Sequence, residues 1–117
     1  MIEATIISYL NNVEGMAPVY TERPETVPPK YVLVEKTGSS TENRITTSTV
    51  AVQSISDTLQ NGSLLDAIGL NEDVKEAMAD LITLDNISGV TLNSDYNFTD
   101  ETTKEYRYQA VFSITHY

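Results

Sequence analysis

The C-terminal segment from residue 105 to residue 117, EYRYQAVFSITHY, alternates regularly between apolar and polar side chains. The even positions are Tyr106, Tyr108, Ala110, Phe112 and Ile114, and the residues between them include Arg107, Gln109, Ser113 and Thr115. Successive side chains of a β-strand point to opposite faces of its sheet, so this period of two predicts a strand with one buried face. We expect the end of the chain to be tied into a sheet.

Stretches of β-branched and aromatic residues predict the rest of that sheet. YVLVEK, residues 31–36, indicates a strand whose start is buried on both faces, and ITTSTVAVQSIS, residues 45–56, indicates a long partner in which burial changes face partway along. Short strands are expected at residues 17–20 and 87–92.

Two helices are predicted from apolar residues at three- and four-residue spacing. The first covers residues 1–13 and ends near Gly15, and the second begins at Leu64 after a capping signal formed by Ser63 and Asp66. The buried stripe of the second helix is expected to comprise Leu64, Ala67, Leu70, Val74, Ala77, Met78 and Leu81. Gly69 indicates either close packing against this helix or a break after which the helix restarts at Asn71.

Three segments are predicted to be loops. Residues 21–30 contain Pro24, Pro28 and Pro29, and proline both removes a backbone donor and restricts the residue before it. Residues 37–43 (TGSSTEN) and 93–104 (NSDYNFTDETTK) collect the small and polar residues of turns. The proline segment is either a connector or an arm that reaches a neighbouring subunit.

Together these elements predict a single α+β domain over residues 1–117. Its expected architecture is a mixed, mostly antiparallel sheet of about four to five strands, with two helices packed on one face.

The charge of the chain disfavours tight binding around DNA. Seventeen Asp and Glu residues stand against seven Lys and Arg residues, which gives a formal net charge of -10. Such a surface repels the phosphate backbone. It suits plain solubility, a path along which DNA passes without binding, or imitation of DNA.

The sequence offers little material for catalysis or for metal and cofactor binding. It has no cysteine, and its one histidine, His116, is expected at the exposed end of a strand. No glycine-rich phosphate-binding motif occurs, and the carboxylates near Asp95 lack the glycine and distal glutamate of a calcium loop. We therefore expect no enzyme, no cofactor and no metal. With neither a membrane span nor a secretory signal in the sequence, we expect synthesis in the cytoplasm.

The order of the elements and three stretches, TTSTVAVQSIS, LLDAIGLNEDVKEAMADL and YRYQAVFSITHY, resemble the tail terminator and head-tail joining proteins of long-tailed bacteriophages. The resemblance implies a hexameric ring at the head-proximal end of the virion tail. Such a ring caps the tail tube, docks to the head connector or stopper protein, and lets DNA pass without specific binding.

The resemblance carries no strict functional motif, so the expected interface residues are those of the predicted loops. They are Arg23, Pro24, Glu25, Pro28, Pro29, Thr37, Ser39, Glu42, Tyr96, Phe98 and Asp100. The alternative hypothesis is an acidic inhibitor that mimics DNA and blocks a nucleic-acid-binding protein, or another minor tail or connector component.

Overall fold

A computed structural model describes residues 2–22, 24–26, 28–57, 63–97, 99 and 105–116. Two α-helices occur in these residues, α1 (Ile2–Asn11) and α2 (Leu64–Ala79), and a short 3-10 helix (Asp80–Thr83) follows α2. The strands are β1 (Val19–Tyr20), β2 (Lys30–Glu42), β3 (Ile45–Asp57), β4 (Ile87–Asn97) and β5 (Glu105–His116).

Within the described residues, the five strands form one sheet in the order β1-β2-β3-β5-β4. β1 pairs with β2 in parallel, and the β2–β3, β3–β5 and β4–β5 pairs are antiparallel. The predicted α+β class with a mixed, mostly antiparallel sheet is therefore confirmed. No helix in this part of the chain is long and apolar enough to cross a membrane.

Both helices pack on the same face of the sheet. Ile6 and Leu10 of α1, and Val74 and Met78 of α2, belong to one hydrophobic cluster that also contains residues from all five described strands. The buried sheet residues in this cluster are Val19, Val32, Val34, Val50, Val52, Ile87, Ala110, Phe112 and Ile114. Val34, Val52 and Ala110 are paired across β2, β3 and β5, so their side chains lie on the same face of the sheet. This arrangement agrees with the alternation predicted for β5.

The opposite face of the sheet contains a buried polar network at the end near residue 31. Tyr31 and Glu105 are almost fully buried, and the Tyr31 hydroxyl donates a hydrogen bond to Glu105 Oε2 at 2.5 Å. Arg107 Nη2 forms an ion pair with Glu105 Oε1 at 2.9 Å. The Tyr20 ring meets that of Tyr31 edge-on, with 6.5 Å between the ring centroids. The start of β2 is thus buried on both faces, as predicted.

Helix α2 begins where the sequence predicts. The Ser63 Oγ accepts a hydrogen bond from the Asp66 backbone N at 3.2 Å, which satisfies one of the free donors of the first turn. Both interpretations of Gly69 are wrong. The helix runs through this position without a break, and a Cβ on Gly69 would meet no atom within 4 Å, because the residue lies on the exposed face.

Residues 37–43 do not form the predicted loop. β2 continues to Glu42, and the chain reverses at Asn43 and Arg44, whose φ angles are 52° and 67°. Positive φ at both central residues characterises the two-residue turn that matches the twist of a hairpin. The Ser and Thr residues of this segment pair with those of β3 in a regular ladder after a bulge between Lys36 and Gly38.

The predicted loop at residues 93–104 also begins too early. β4 extends to Asn97 and pairs with β5 along its length, with register shifts at Ser88 and Asn93. A β-bulge accommodates an extra residue without ending the strand, so polar residues in this segment did not terminate pairing. Of the remainder, only Thr99 is described, and its hydroxyl accepts a hydrogen bond from Arg107 N at 3.1 Å.

Candidate assembly surfaces

The proline segment between β1 and β2 is tied to the sheet at its C-terminal end. Pro24 and Pro28 are half-buried, whereas Glu25 and Pro29 are exposed. The Pro29 carbonyl accepts a hydrogen bond from Asp57 N at 2.9 Å. Arg23, also predicted at the interface, lies outside the described residues.

The predicted residues of the second segment lie on β2 and not in a loop. Thr37, Ser39 and Glu42 are all exposed. Thr37 adjoins the β2 bulge, and its hydroxyl donates to the Thr49 carbonyl at 3.3 Å. These three side chains therefore have positions set by a strand, which makes them parts of a rigid edge.

Tyr96, from the third segment, lies near the end of β4. Its side chain is 42% exposed, and its hydroxyl accepts a hydrogen bond from Gln109 Nε2 at 2.5 Å. Gln109 in turn accepts a bond from Gln53 on β3 at 3.1 Å. This ladder of amides fixes Tyr96 on the face of the sheet opposite the helices. Phe98 and Asp100 lie outside the described residues.

The structure does not bring the predicted interface residues together into one site. β1 and β2 form one edge of the sheet and β4 forms the other, with β3 and β5 between them. The described candidates therefore divide between two opposite edges.

One exposed apolar residue at the β4 edge was missed by the sequence analysis. Leu92 is 43% exposed on the same strand as Tyr96. The sequence predicted a strand at Leu92, but whether a strand lies at the edge of a sheet depends on topology. No local signal in the sequence distinguishes an edge leucine from a buried one.

An acidic cleft separates the two helices. It has a volume of about 440 Å³, and its lining includes the carboxylates of Glu14, Asp73, Glu76 and Asp80. At its wall the Tyr9 hydroxyl donates a hydrogen bond to the Ala77 carbonyl at 2.8 Å. Burial raises the pKa of Tyr9 above its ordinary value of 10.0, and the nearby Asp80 carboxylate raises that pKa further. The helical side of the molecule is thus strongly acidic.

The positively charged side chains are distributed differently from the carboxylates of the cleft. Lys75 on α2 bonds to Asp95 and Glu72, each at 2.8 Å, and these hydrogen bonds raise its pKa above the ordinary value. By contrast, Lys30 and Lys36 on β2 and Arg44 in the hairpin turn are exposed. The β2 edge therefore carries exposed cations together with the exposed carboxylates of Glu35 and Glu42.

The described residues contain no cluster of three or more His, Cys, Asp or Glu side chains able to hold a metal ion. His116 is half-buried at the end of β5, and its Nε2 lies 2.8 Å from the Ser48 hydroxyl. This bond gives the histidine a structural partner instead of the open strand-end position that the sequence suggested.

Comparison with known proteins identifies a solved structure with the same fold. No family model matches the sequence, and no curated protein is similar to it in sequence. Among solved structures, one chain from "Virion of native gene transfer agent (GTA) particle" superposes with a TM-score of 0.71. The superposition covers 98% of this chain and 93% of that chain, at 16% sequence identity. The two chains share one fold over nearly their whole lengths.

Proposed function

We propose that this protein is a structural component of a phage-like virion and that it works by assembling with other virion proteins. The observation that carries the proposal is the fold shared, almost from end to end, with a chain of a gene transfer agent particle. The two edges of the sheet, which hold the described interface candidates, supply contact surfaces on opposite sides of one rigid unit.

Within this class, the proposed role is that of a tail terminator or head-tail joining protein. Six copies form a ring that caps the tail tube at its head-proximal end and docks to the head connector. Three stretches of sequence resemble that group, as described above, and the fold comparison independently leads to a virion component. The proline segment then serves as an arm toward a neighbouring subunit.

The charge distribution supports a ring through which DNA passes. The carboxylates of the cleft between the helices, together with a formal net charge of -10, repel the phosphate backbone. A wall of this kind lets a duplex slide without specific binding. The role requires no reaction, so we propose that the protein is not an enzyme.

The experiment is tail-tube capping. Tube protein from the same genome is polymerised in the presence and absence of this protein, and tube lengths and ends are measured by electron microscopy. We expect shorter tubes with a ring of density at one end. Unchanged tube lengths with bare ends at every concentration of added protein would contradict the proposal.

An acidic mimic of DNA is the second candidate, and the four clustered carboxylates of the cleft are the observation in its favour. A mimic acts as a monomer and displaces DNA from a basic partner, whereas a tail protein acts as an oligomer on tail tubes. A competition assay between this protein and labelled duplex DNA for a basic DNA-binding protein separates the two functions.

A further inference from the structure

Strand β4 leaves one long edge of the sheet unpaired within the described part of the chain. β5 pairs with one side of β4, and β4 is the last strand in the sheet order. The backbone donors and acceptors on the other side of residues 89–92 therefore face outward. Such a row is a template on which another strand can pair.

This edge lacks the charged side chains that usually block pairing between sheets. The sequence of β4 contains no proline, lysine or arginine, and its one carboxylate, Asp95, turns inward to Lys75 and Asn71 on α2. Asn93 likewise turns back and donates to the Ser113 hydroxyl at 2.8 Å. Between the bulges at Ser88 and Asn93, residues 89–92 form a regular stretch of edge.

The opposite edge of the sheet offers a complementary strand. β1 covers β2 only at Val32 and Leu33, so the exposed stretch from Glu35 to Glu42 has no strand on its outer side in the described residues. This stretch carries exposed charges of both signs, Lys36 with Glu35 and Glu42, and Arg44 follows in the turn. One copy of the molecule therefore presents a free edge without outward charge on one side and a free edge with charges of both signs on the other.

The strand registers define which residues of the two edges stand at the same level. Thr91 pairs with Ser113, Ser113 pairs with Thr49, and Thr49 pairs with Gly38. β2 and β4 run in opposite directions, because three antiparallel pairings separate them. When two copies lie side by side at equal height, β4 of one is antiparallel to β2 of the next, with Thr91 opposite Gly38.

The hairpin end of the edge follows the same register. Ile87 is level with Thr41 through the same pairings. Equal height therefore places the start of β4 in one copy beside the hairpin end of β2 in the next.

We infer that copies of this chain join through their sheets, with residues 89–91 of β4 in one copy adding in antiparallel fashion to residues 38–40 of β2 in the next. This inference rests on the proposed ring and names its contact. The two surfaces differ, so the interface is heterologous, and repetition of such an interface around an axis closes a ring. The added ladder also satisfies the outward backbone groups of both strands.

Disulfide cross-linking tests the contact directly, because the natural chain contains no cysteine. Opposed residues on antiparallel strands have Cα atoms about 4.5 to 5.5 Å apart, within the range of about 4.4 to 6.8 Å that a disulfide spans. The variants are Thr91→Cys on β4 and, on β2, Gly38→Cys and Ser40→Cys. Thr91 and Ser40 are exposed, and a side chain at Gly38 would meet no atom within 4 Å.

Each β2 variant is mixed with Thr91→Cys, oxidised, and analysed on a non-reducing gel, with native mass spectrometry in parallel. The matched control pairs Thr91→Cys with Ala4→Cys, an exposed position on α1. We expect the mixed dimer of Thr91→Cys with Gly38→Cys to exceed the control by at least about tenfold, because the interface raises the effective concentration of the two thiols. Ser40→Cys is opposite Gly89 in this register and should cross-link to Thr91→Cys less than Gly38→Cys does. A chain carrying both Thr91→Cys and Gly38→Cys should give a ladder of covalent oligomers.

The other outcomes separate this inference from the proposed function. Rings that form without cross-links above the control overturn the edge contact and leave the tail role intact. Cross-linking of Thr91→Cys with itself alone indicates a symmetric β4–β4 pair and also overturns the inference. If only monomers form, alone and with tail tubes, both proposals fail.

Discussion

Gly69 has a helical backbone conformation, whereas Gly15 has a positive φ angle. Gly69 lies inside α2, exposed and with open space around it, so glycine there only adds conformational freedom to the unfolded chain. Gly15 follows α1 with a φ of 82°, a value that side chains rarely tolerate. The same residue type therefore weakens one helix and permits a turn after the other.

Gly69→Ala should raise the free energy of unfolding by about 1 kcal/mol, because alanine favours the helix and meets no neighbour. The matched control, Gly15→Ala, should lower it by roughly 1 to 2 kcal/mol, because alanine must adopt the left-handed conformation. Urea denaturation followed by circular dichroism measures both. A loss of stability in Gly69→Ala would mean that a partner packs against this face of α2.

Tyr9 links α1 to α2 through its hydrogen bond to the Ala77 carbonyl. Tyr9→Phe removes this bond and should lower the free energy of unfolding by about 1 kcal/mol. Since the pKa of Tyr9 is raised in the folded state, the folded protein keeps this proton after the unfolded chain has lost it. The contribution to stability is therefore complete below about pH 10 and is lost as pH rises through the folded pKa.

Alkaline unfolding checks the direction of this shift. From about pH 9 to about pH 11, the stability of the natural protein should fall more steeply than that of Tyr9→Phe. All other tyrosines are common to the two chains, so the difference between the curves isolates Tyr9. Parallel curves would contradict the raised pKa.

At the level of single residues, the sequence identified local features better than distant ones. The Ser63 cap depends on a neighbour within a few positions and was predictable. The terminator predicted at Gly15 lies in the turn after the helix, because α1 already ends at Asn11. The buried network of Tyr31, Glu105 and Arg107 was not, because it joins residues about seventy positions apart through strand register. Polar residues in an alternating pattern indicate a solvent face, so burial of Glu105 carries no local signal.

The turn of the β2–β3 hairpin contains a residue that is unusual for its backbone conformation. Arg44 has a φ of 67°, where glycine is favoured at the second position of a two-residue turn. Arg44→Gly should therefore raise the free energy of unfolding by up to about 1 kcal/mol. Arg44→Val, which places a β-branched residue at positive φ, should lower it by about 1 kcal/mol or more.

Thermal unfolding of both variants, with amide hydrogen exchange in residues 38–48, measures the effect on the hairpin. If valine at position 44 were as stable as glycine, the turn would not lie at Asn43 and Arg44.

Element types were predicted more successfully than element lengths. Both helices and the long strands at residues 31–36, 45–56 and 105–116 were found in sequence. The extensions of β2 through residue 42 and of β4 through residue 97 were missed, because Ser, Thr, Gly and Asn occur both in turns and in exposed strands. The actual turn, Asn43-Arg44, lacks the glycine that marks a hairpin in sequence.

At the scale of the whole molecule, charge and edges are arranged on different sides. The carboxylates of the cleft lie between the helices, exposed charges of both signs lie along β2 and its turn, and β4 presents an edge without outward charge. The fold class followed from periodicity, but the assignment of strands to edges required the sheet order. The proposed contact surfaces were therefore predicted only as separate segments.

The central claim is that the protein functions as one copy in a ring on a virion tail. Native mass spectrometry over a wide range of concentration, alone and after incubation with tail tubes, counts the copies of the 12.9 kDa chain. The account predicts six copies, either in the free protein at high concentration or in the species recovered from tube ends. A protein that stays monomeric at every concentration and is not retained by tail tubes would contradict it.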